Sequence, residues 1–95
     1  MIRREGDRVL VEGPMTLDTV PALAGDVEPH FGDGAHVLDL QGVTDVDSSA
    51  VALLLEWRRT AESRRLALRF ANIPSSVENL ARLYGVSDLL HAVAD

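Results

Sequence analysis

Residues 35 to 57 read AHVLDLQGVTDVDSSAVALLLEW, and this stretch joins two different hydrophobic patterns. Its first six residues, Ala35–Leu40, form a short apolar run bounded by glycines, which is typical of a strand buried on both faces. Its last eight residues are almost all apolar, and they follow three good helix-capping residues, Asp47–Ser49. The stretch therefore predicts a buried strand, a tight loop and a helix over about Ser49–Arg64.

Toward the amino terminus, the pattern predicts a strand followed by a helix. The strand is Val9–Glu12, which Gly13 and Pro14 close. The helix has a cap at either Thr16 or Thr19. Its apolar residues recur near helical spacing, and they are Leu17, Val20, Leu23, Ala24 and Val27.

Toward the carboxyl terminus, the pattern predicts another strand, another helix and a short final turn. The segment Arg65–Asn72 alternates in the way a strand with one solvent-facing side does. Ser75 and Glu78 match the S-x-x-E capping box that begins a helix, and Gly85 closes this helix. Ser87 starts the final turn.

The order of these elements predicts the fold class. Alternating strands and helices with short connections indicate a partly parallel sheet, because parallel neighbours need crossover helices. A chain of 95 residues has room for one hydrophobic core. We therefore predict one small α/β domain over residues 1–95, with an additional strand at the amino terminus.

The composition argues against several classes of function. The formal net charge of −6 argues against nucleic acid as a partner, because phosphate binding needs a basic surface. The chain has no cysteine, its three histidines lack ligand spacing and it has no glycine-rich phosphate loop, so we expect neither a metal nor a cofactor. No apolar stretch approaches the roughly 20 residues of a membrane helix. We expect a cytoplasmic protein that touches a membrane only through a partner.

Ser48 is open to more than one interpretation. It can be a helix cap, like its neighbours Asp47 and Ser49. Catalysis is not expected, because no histidine lies near it in sequence and the Gly-x-Ser-x-Gly elbow is absent. A phosphoryl group on Ser48 would be tolerated at a helix amino terminus, and its charge beside Asp45 and Asp47 would repel an acidic or apolar partner. The local pattern therefore allows a cap or an interaction switch.

The helix after Ser48 has more apolar surface than one small sheet needs to bury. Leu53 and Trp57 form a second stripe beside the stripe that faces the sheet. Two interpretations stay open for this second stripe. It packs under the helix Val77–Tyr84, with Leu83 beside it, or it forms an exposed patch that anchors a partner.

The segment LDLQGVTDVDSSAVALLLEW resembles the signature of the STAS domain, the fold of anti-sigma factor antagonists and of the cytoplasmic tails of sulfate transporters. The matching positions are Asp39, Leu40, Val43, Asp47, Ser48, Ser49, Ala50 and Val51. Within that family the chain is most similar to the MlaB branch, the STAS subunits of the Mla phospholipid-transport ABC system. This likeness includes the segments GPMTLDTVPAL (13–23) and NLARLYGVSDLL (79–90).

The resemblance implies a mixed four-stranded sheet with helices packed mainly on one face, and it implies no catalysis. It also implies an accessory subunit, peripheral to the inner membrane in its complex, that binds the ATPase subunit of an ABC transporter. The partner-binding residues that it implies are Asp47, Ser48, Ser49, Leu53, Trp57 and Leu83.

The sigma-regulating branch of the family implies an alternative. There the domain is an anti-sigma factor antagonist, which binds an anti-sigma factor kinase and is switched off by phosphorylation of Ser48. Ala50 stands where the family signature has glycine. Its methyl group hinders close contact of another protein with the backbone of the first helical turn, so the substitution affects recognition by a kinase more than it affects the fold.

Overall fold

The computed structural model describes residues 1–91, and their fold is a mixed four-stranded sheet with helices packed mainly on one face. The strands lie in the order β1 (Ile2–Glu5), β2 (Arg8–Met15), β3 (Val37–Val46) and β4 (Arg69–Ala71). β1 is antiparallel to β2, whereas β2, β3 and β4 are parallel to one another. The helices are α1 (Val20–Phe31), α2 (Ser48–Ser63), α3 (Ser75–Leu83) and α4 (Ser87–His91). The predicted α/β class and the additional amino-terminal strand are confirmed.

The core lies between the sheet and the helices. On β2 and β3, alternate side chains are completely buried, because successive residues of a strand point to opposite faces. α1 and α2 cross between parallel strands and cover this buried face. The core side chains with the largest volumes are Trp57, Phe31, Met15, Leu38, Leu40 and Leu54.

Asp39 lies on β3 between Leu38 and Leu40, and it is a buried charge at 6% exposure. Its Oδ2 accepts a hydrogen bond from Arg8 Nη1 at 2.6 Å, and its Oδ1 accepts from Asn72 Nδ2 and from the Gln41 amide, both at 3.0 Å. Burial by itself would raise the pKa of Asp39, but these hydrogen bonds and the charge of Arg8 lower it below its ordinary value. The carboxylate therefore links β2, β3 and the end of β4.

β3 is longer than predicted, and most of the expected tight loop after Leu40 is strand. Side chains in this part of β3 are largely exposed, so no apolar pattern marks it. It continues because its backbone pairs with β2, through two shifts of register. Gly42 permits this pairing, since a Cβ atom there would lie 2.9 Å from Glu12 Cγ and 3.3 Å from the Val11 carbonyl oxygen. β4, in contrast, is shorter than the predicted Arg65–Asn72.

α2 begins one residue before the predicted Ser49, but the starts of α1 and α3 differ from their predictions. Thr19 is the N-cap residue of α1, yet its side chain makes no capping hydrogen bond. The predicted capping box is wrong, because Pro74 is the N-cap residue and no side chain caps the helix. The carboxylate oxygens of Glu78 instead lie 2.9 and 3.1 Å from His91 Nε2, which joins α3 to α4. Gly85 follows α3 with a φ of +73°, and Ser87 begins α4, both as predicted.

Candidate functional site

β3 ends and α2 begins at a corner formed by Asp47, Ser48 and Ser49. Asp47 is the N-cap residue, and its Oδ1 accepts a hydrogen bond from the Ser49 amide at 2.8 Å. Its Oδ2 accepts from the Leu17 amide at 3.0 Å. One carboxylate therefore both caps α2 and fixes the loop between β2 and α1.

The charge of Asp47 is stabilised by these same bonds. The hydrogen bond from the Leu17 amide has the largest effect on the pKa of Asp47, and with the bond from Ser49 it lowers that pKa against the opposing effect of burial. The side chain is therefore ionised at neutral pH, directly beside Ser48.

Ser48 is the first residue of α2, and its side chain is exposed. Leu17 lies against Asp47 and is 74% exposed, and its neighbour Asp18 is exposed as well. Asp45 is exposed at the end of β3. We call the surface formed by Leu17, Asp18, Asp45, Asp47 and Ser48 the acidic corner. Within residues 1–91 no salt bridge involves its three carboxylates, so no cationic side chain of these residues neutralises them.

The prediction of an exposed patch at Leu53 and Trp57 is wrong. Leu53 is 4% exposed and Trp57 is 2% exposed. The reason is that α3 and α4 pack against α2 on the side that the sheet leaves open, so both apolar stripes of α2 are inside. The alternative, in which the second stripe packs under the following helix, is confirmed for Leu53 and Trp57, but Leu83, which it placed beside them, is exposed.

Leu83 is exposed at 77%, but it does not lie at the acidic corner. β3 and β4 are parallel, so α2 and α3 both begin at the same edge of the sheet and run back along it. Leu83 is the last residue of α3 and lies toward the opposite end of the molecule. The structure thus brings together Asp47, Ser48 and Ser49, and separates Leu83 from them.

Leu17 is the site residue that the sequence pattern concealed. Its spacing to Val20 and Leu23 assigned it to the buried face of a helix, yet α1 begins only at Val20. Pro21 carries the signal that places it outside, because proline prefers the first turn of a helix. A helix that begins there leaves Leu17 in the preceding loop, where it is exposed.

Comparison with known proteins agrees with this fold. A family model described as "Mlab, STAS domain" matches residues 2–91. The chain belongs to this STAS domain family. The structure of the anti-sigma factor antagonist SpoIIAA in its unphosphorylated form is similar, with a TM-score of 0.64 and 15% identity, over 87% of this chain and 81% of that chain. A second similar structure, described as Mglu, has a TM-score of 0.57 and 24% identity, over 78% of this chain but 19% of that chain. No curated protein gives a significant sequence match.

In this STAS domain the residue that departs from the signature points inward. Ala50 is completely buried, so its methyl group belongs to the core and leaves the exposed surface of the corner free. Residues 1–91 contain no cluster of three or more metal-ligating side chains. Over the same residues, every helix is too short or too polar to cross a bilayer.

Proposed function

We propose that this STAS domain is a non-enzymatic accessory subunit of a phospholipid-transport ABC complex, which docks on the ATPase subunit through the acidic corner. The observation that carries the proposal is the exposed Ser48 beside an exposed leucine, Leu17, within a rim of carboxylates. The family match over residues 2–91 supports the choice of partner. On this proposal the protein acts in the cytoplasm, at the membrane surface of the transporter.

The corner has the composition of a small docking surface. Interfaces take most of their binding energy from a few apolar anchors that a polar rim surrounds. Leu17 supplies the anchor, and the hydrogen bond from its amide to Asp47 holds it in place before any partner arrives. The carboxylate of Asp47, which holds this loop, and the exposed carboxylates of Asp18 and Asp45 disfavour an acidic partner surface, because like charges across an interface oppose association.

Several features support a binding role over catalysis. Ser48 would need a base within hydrogen-bond reach to act as a nucleophile. Two of the three histidines are engaged elsewhere: His30 Nδ1 lies 3.1 Å from Arg4 Nη1, and His91 lies against Glu78. No hydrogen bond joins a histidine to Ser48 among the described residues.

A second candidate function is that of an anti-sigma factor antagonist, and the similarity to SpoIIAA favours it. Ser48 is exposed at a helix amino terminus, where a kinase can reach it and where the helix dipole tolerates a phosphoryl group. Phosphorylation would add a charge of about −1.5 to −2 beside Asp47. That charge would weaken binding to any surface that accepts Leu17 in an apolar depression.

Affinity purification of the tagged full chain from its host distinguishes these functions. Under the first, an ABC ATPase and its permease are recovered. Under the second, a small kinase is recovered instead, and the intact mass increases by one phosphate after incubation with lysate and ATP, whereas that of Ser48→Ala does not. Recovery of neither partner contradicts both functions.

Matched variants test whether the acidic corner is the surface used. We expect Leu17→Ala to weaken partner binding about tenfold, a loss of about 1.4 kcal/mol. Leu83→Ala is its control, because Leu83 is equally exposed but lies elsewhere. Ser48→Glu should also weaken binding, whereas Ser63→Glu adds the same charge at the far end of α2 and should not. Equal effects of the paired variants would show that the corner is not the interface.

Asp47→Ser tests the second role of the Asp47 carboxylate. Serine is also a good N-cap residue, so it can accept the bond from Ser49 and preserve the start of α2. It lacks the second carboxylate oxygen that holds the Leu17 amide. We therefore expect weaker partner binding with little change in helix content by circular dichroism, and unchanged binding would show that the fixed position of Leu17 is unimportant.

A further inference from the structure

β3 has an open edge along its second half. On one side, β3 pairs with β2 almost to its last residue, but on the other side only residues 37–39 pair with β4. Within residues 1–91, the backbone of residues 42–46 makes no hydrogen bond to any element other than β2. Gly42, Thr44 and Asp45 are exposed, so this edge is accessible to solvent.

β4 is short because the residue after Ala71 leaves the sheet. Asn72 has a φ of +55°, in the left-handed region, and a strand cannot continue through that conformation. Its side chain is held there, since Nδ2 donates a hydrogen bond to Asp39 Oδ1 at 3.0 Å. The same oxygen accepts a hydrogen bond from the Gln41 amide at 3.0 Å, so the amide of Gln41 is already paired. The open edge therefore begins at Gly42.

Pro14 determines which backbone groups of β3 point to this edge. In a parallel pair of strands, one of two opposed residues bonds through both its N–H and its C=O to the residues before and after the other. Gly13 lies opposite Val43, and if Val43 were the bonding residue, its carbonyl would need a donor from Pro14. Proline has no N–H, so Gly13 bonds instead to Gly42 and Thr44. The N–H and C=O of Val43 therefore point to the open edge.

The outer strands of the sheet are protected against pairing with another chain, whereas this edge is less so. Native proteins protect their edge strands with charged side chains, with proline or by making the strand very short. β1 carries Arg3, Arg4 and Glu5 in its four residues, and β4 has only three residues. Residues 42–46 read GVTDV, with no lysine, arginine or proline and with three β-branched residues that favour a strand.

The unpaired backbone groups determine the kind of occupant. A strand edge is recognised by an extended peptide, because a neighbouring strand offers backbone donors and acceptors at the matching spacing. Residues 42–46 have room for about five residues of such a peptide, or about 17 Å. Val43 and Val46 are half-buried and pack against the core, so the inward side chains of the peptide meet an apolar surface. Asp45 is exposed beside them and disfavours a carboxylate opposite it.

We propose that a partner protein adds a short extended strand to the open edge of β3 at residues 42–46. Its inward side chains are β-branched and lie beside Val43, and its outward side chains include no carboxylate. Backbone hydrogen bonds supply the affinity, and these side chains supply the specificity. The proposal concerns the mode of recognition at this edge, and it holds whichever partner docks at the acidic corner.

Amide hydrogen exchange of the full chain, measured residue by residue by NMR, tests whether the edge is open. In the free protein the Val43 amide should exchange at least about tenfold faster than the Thr44 amide, which is bonded to β2. The probe for binding is a fluorescent peptide of roughly six residues in which valine or threonine alternates with lysine. We expect saturable binding by fluorescence anisotropy, and slower exchange of the Val43 amide in the complex.

Matched controls separate backbone pairing from contacts of side chains. The same peptide with N-methyl groups on its backbone amides keeps its side chains but loses its donors, and it should bind at least about tenfold more weakly. Asp45→Lys should weaken binding of the lysine peptide, whereas Asp26→Lys makes the same charge change on the exposed side of α1 and should not. Leu17→Ala alters the acidic corner and should leave peptide binding unchanged, so failure of that interface is distinguished from failure of this one.

The following outcomes would overturn the proposal. In the free chain, the Val43 amide exchanges as slowly as the Thr44 amide, or the peptide does not bind. The N-methylated peptide binds as well as the unmodified one, or Asp45→Lys and Asp26→Lys have equal effects. Finally, slower exchange of Val43 at higher protein concentration without peptide would identify a second copy of the chain as the occupant.

Discussion

Replacement of Trp57 by alanine tests whether the second apolar stripe of α2 belongs to the core. The indole is 2% exposed and lies in the same buried cluster as Val77 of α3 and Leu90 of α4. Truncation of a buried tryptophan removes its packing and leaves a cavity, which costs about 3–5 kcal/mol. A domain of 95 residues has a free energy of unfolding of about 5–14 kcal/mol, at roughly 0.05–0.15 kcal/mol per residue. We therefore expect Trp57→Ala to lose a large share of the stability and at least about 12 °C in Tm.

Trp57→Phe separates the packing of the ring from its polarity. Among the described residues, the buried Trp57 Nε1 has no hydrogen-bond partner. Burial of an unsatisfied donor costs about 1–3 kcal/mol, so phenylalanine removes that cost while it loses part of the ring volume. We expect Trp57→Phe to be destabilised by less than about 2 kcal/mol, well short of the alanine variant.

Urea unfolding, followed by far-ultraviolet circular dichroism, gives these free energies for all variants. Trp57 is the single tryptophan, so native fluorescence also reports on this site directly: its emission should be blue-shifted and poorly quenched by acrylamide. Leu83→Ala, at a side chain 77% exposed, is the control and should lie within about 0.5 kcal/mol of wild type. A loss below about 1 kcal/mol in Trp57→Ala, or quenching as strong as in the unfolded chain, would refute the burial of this stripe.

Three further predictions concern stability. The surroundings of Asp39 lower its pKa, so its carboxylate contributes fully to the free energy of unfolding above its ordinary pKa of 3.8. This contribution is lost as the pH falls below that value. Asp39→Asn should therefore reduce the dependence of the free energy of unfolding on pH in acid. Arg58→Met leaves buried carbonyl oxygens without donors and should lower the free energy of unfolding by about 2–3 kcal/mol. Amide hydrogen exchange in this variant should become faster in α4 than in β3. Equal changes in both elements would contradict the role of Arg58 in holding α4. Gly25→Ala should stabilise α1 by about 0.5–1 kcal/mol, because the added methyl meets no atom within 4 Å beyond its chain neighbours and the backbone of α1. Gly42→Ala should destabilise the fold by about 1 kcal/mol or more in the same urea assay.

The order of elements was predictable because each strand and helix carries its own period and its own end signals. The start of α2 was located to within one residue, since Asp47 is a strong cap directly before an apolar run. The burial of Leu53 and Trp57 could not be settled in this way. Local periodicity shows that a stripe is apolar, but it does not show whether another helix of the same chain covers it.

Two other differences have a similar origin, in contacts between residues distant in sequence. The latter part of β3 is held by backbone pairing with β2, which leaves no trace in side-chain hydrophobicity. Glu78 has the spacing of a capping residue, but His91 lies close enough to its carboxylate to pair with it instead. A pattern within one element cannot report a partner that another element supplies.

A charged side chain holds a neighbouring segment near each end of α2. At its start, the Asp47 carboxylate accepts a backbone amide from the loop before α1. Toward its other end, the Arg58 guanidinium donates to backbone carbonyls of α4. Each charged side chain therefore fixes a neighbouring segment that carries an exposed leucine, Leu17 at one end and Leu89 at the other. Because α2 is a continuous helix of 16 residues between these contacts, the loop before α1 and α4 are both positioned against one helix.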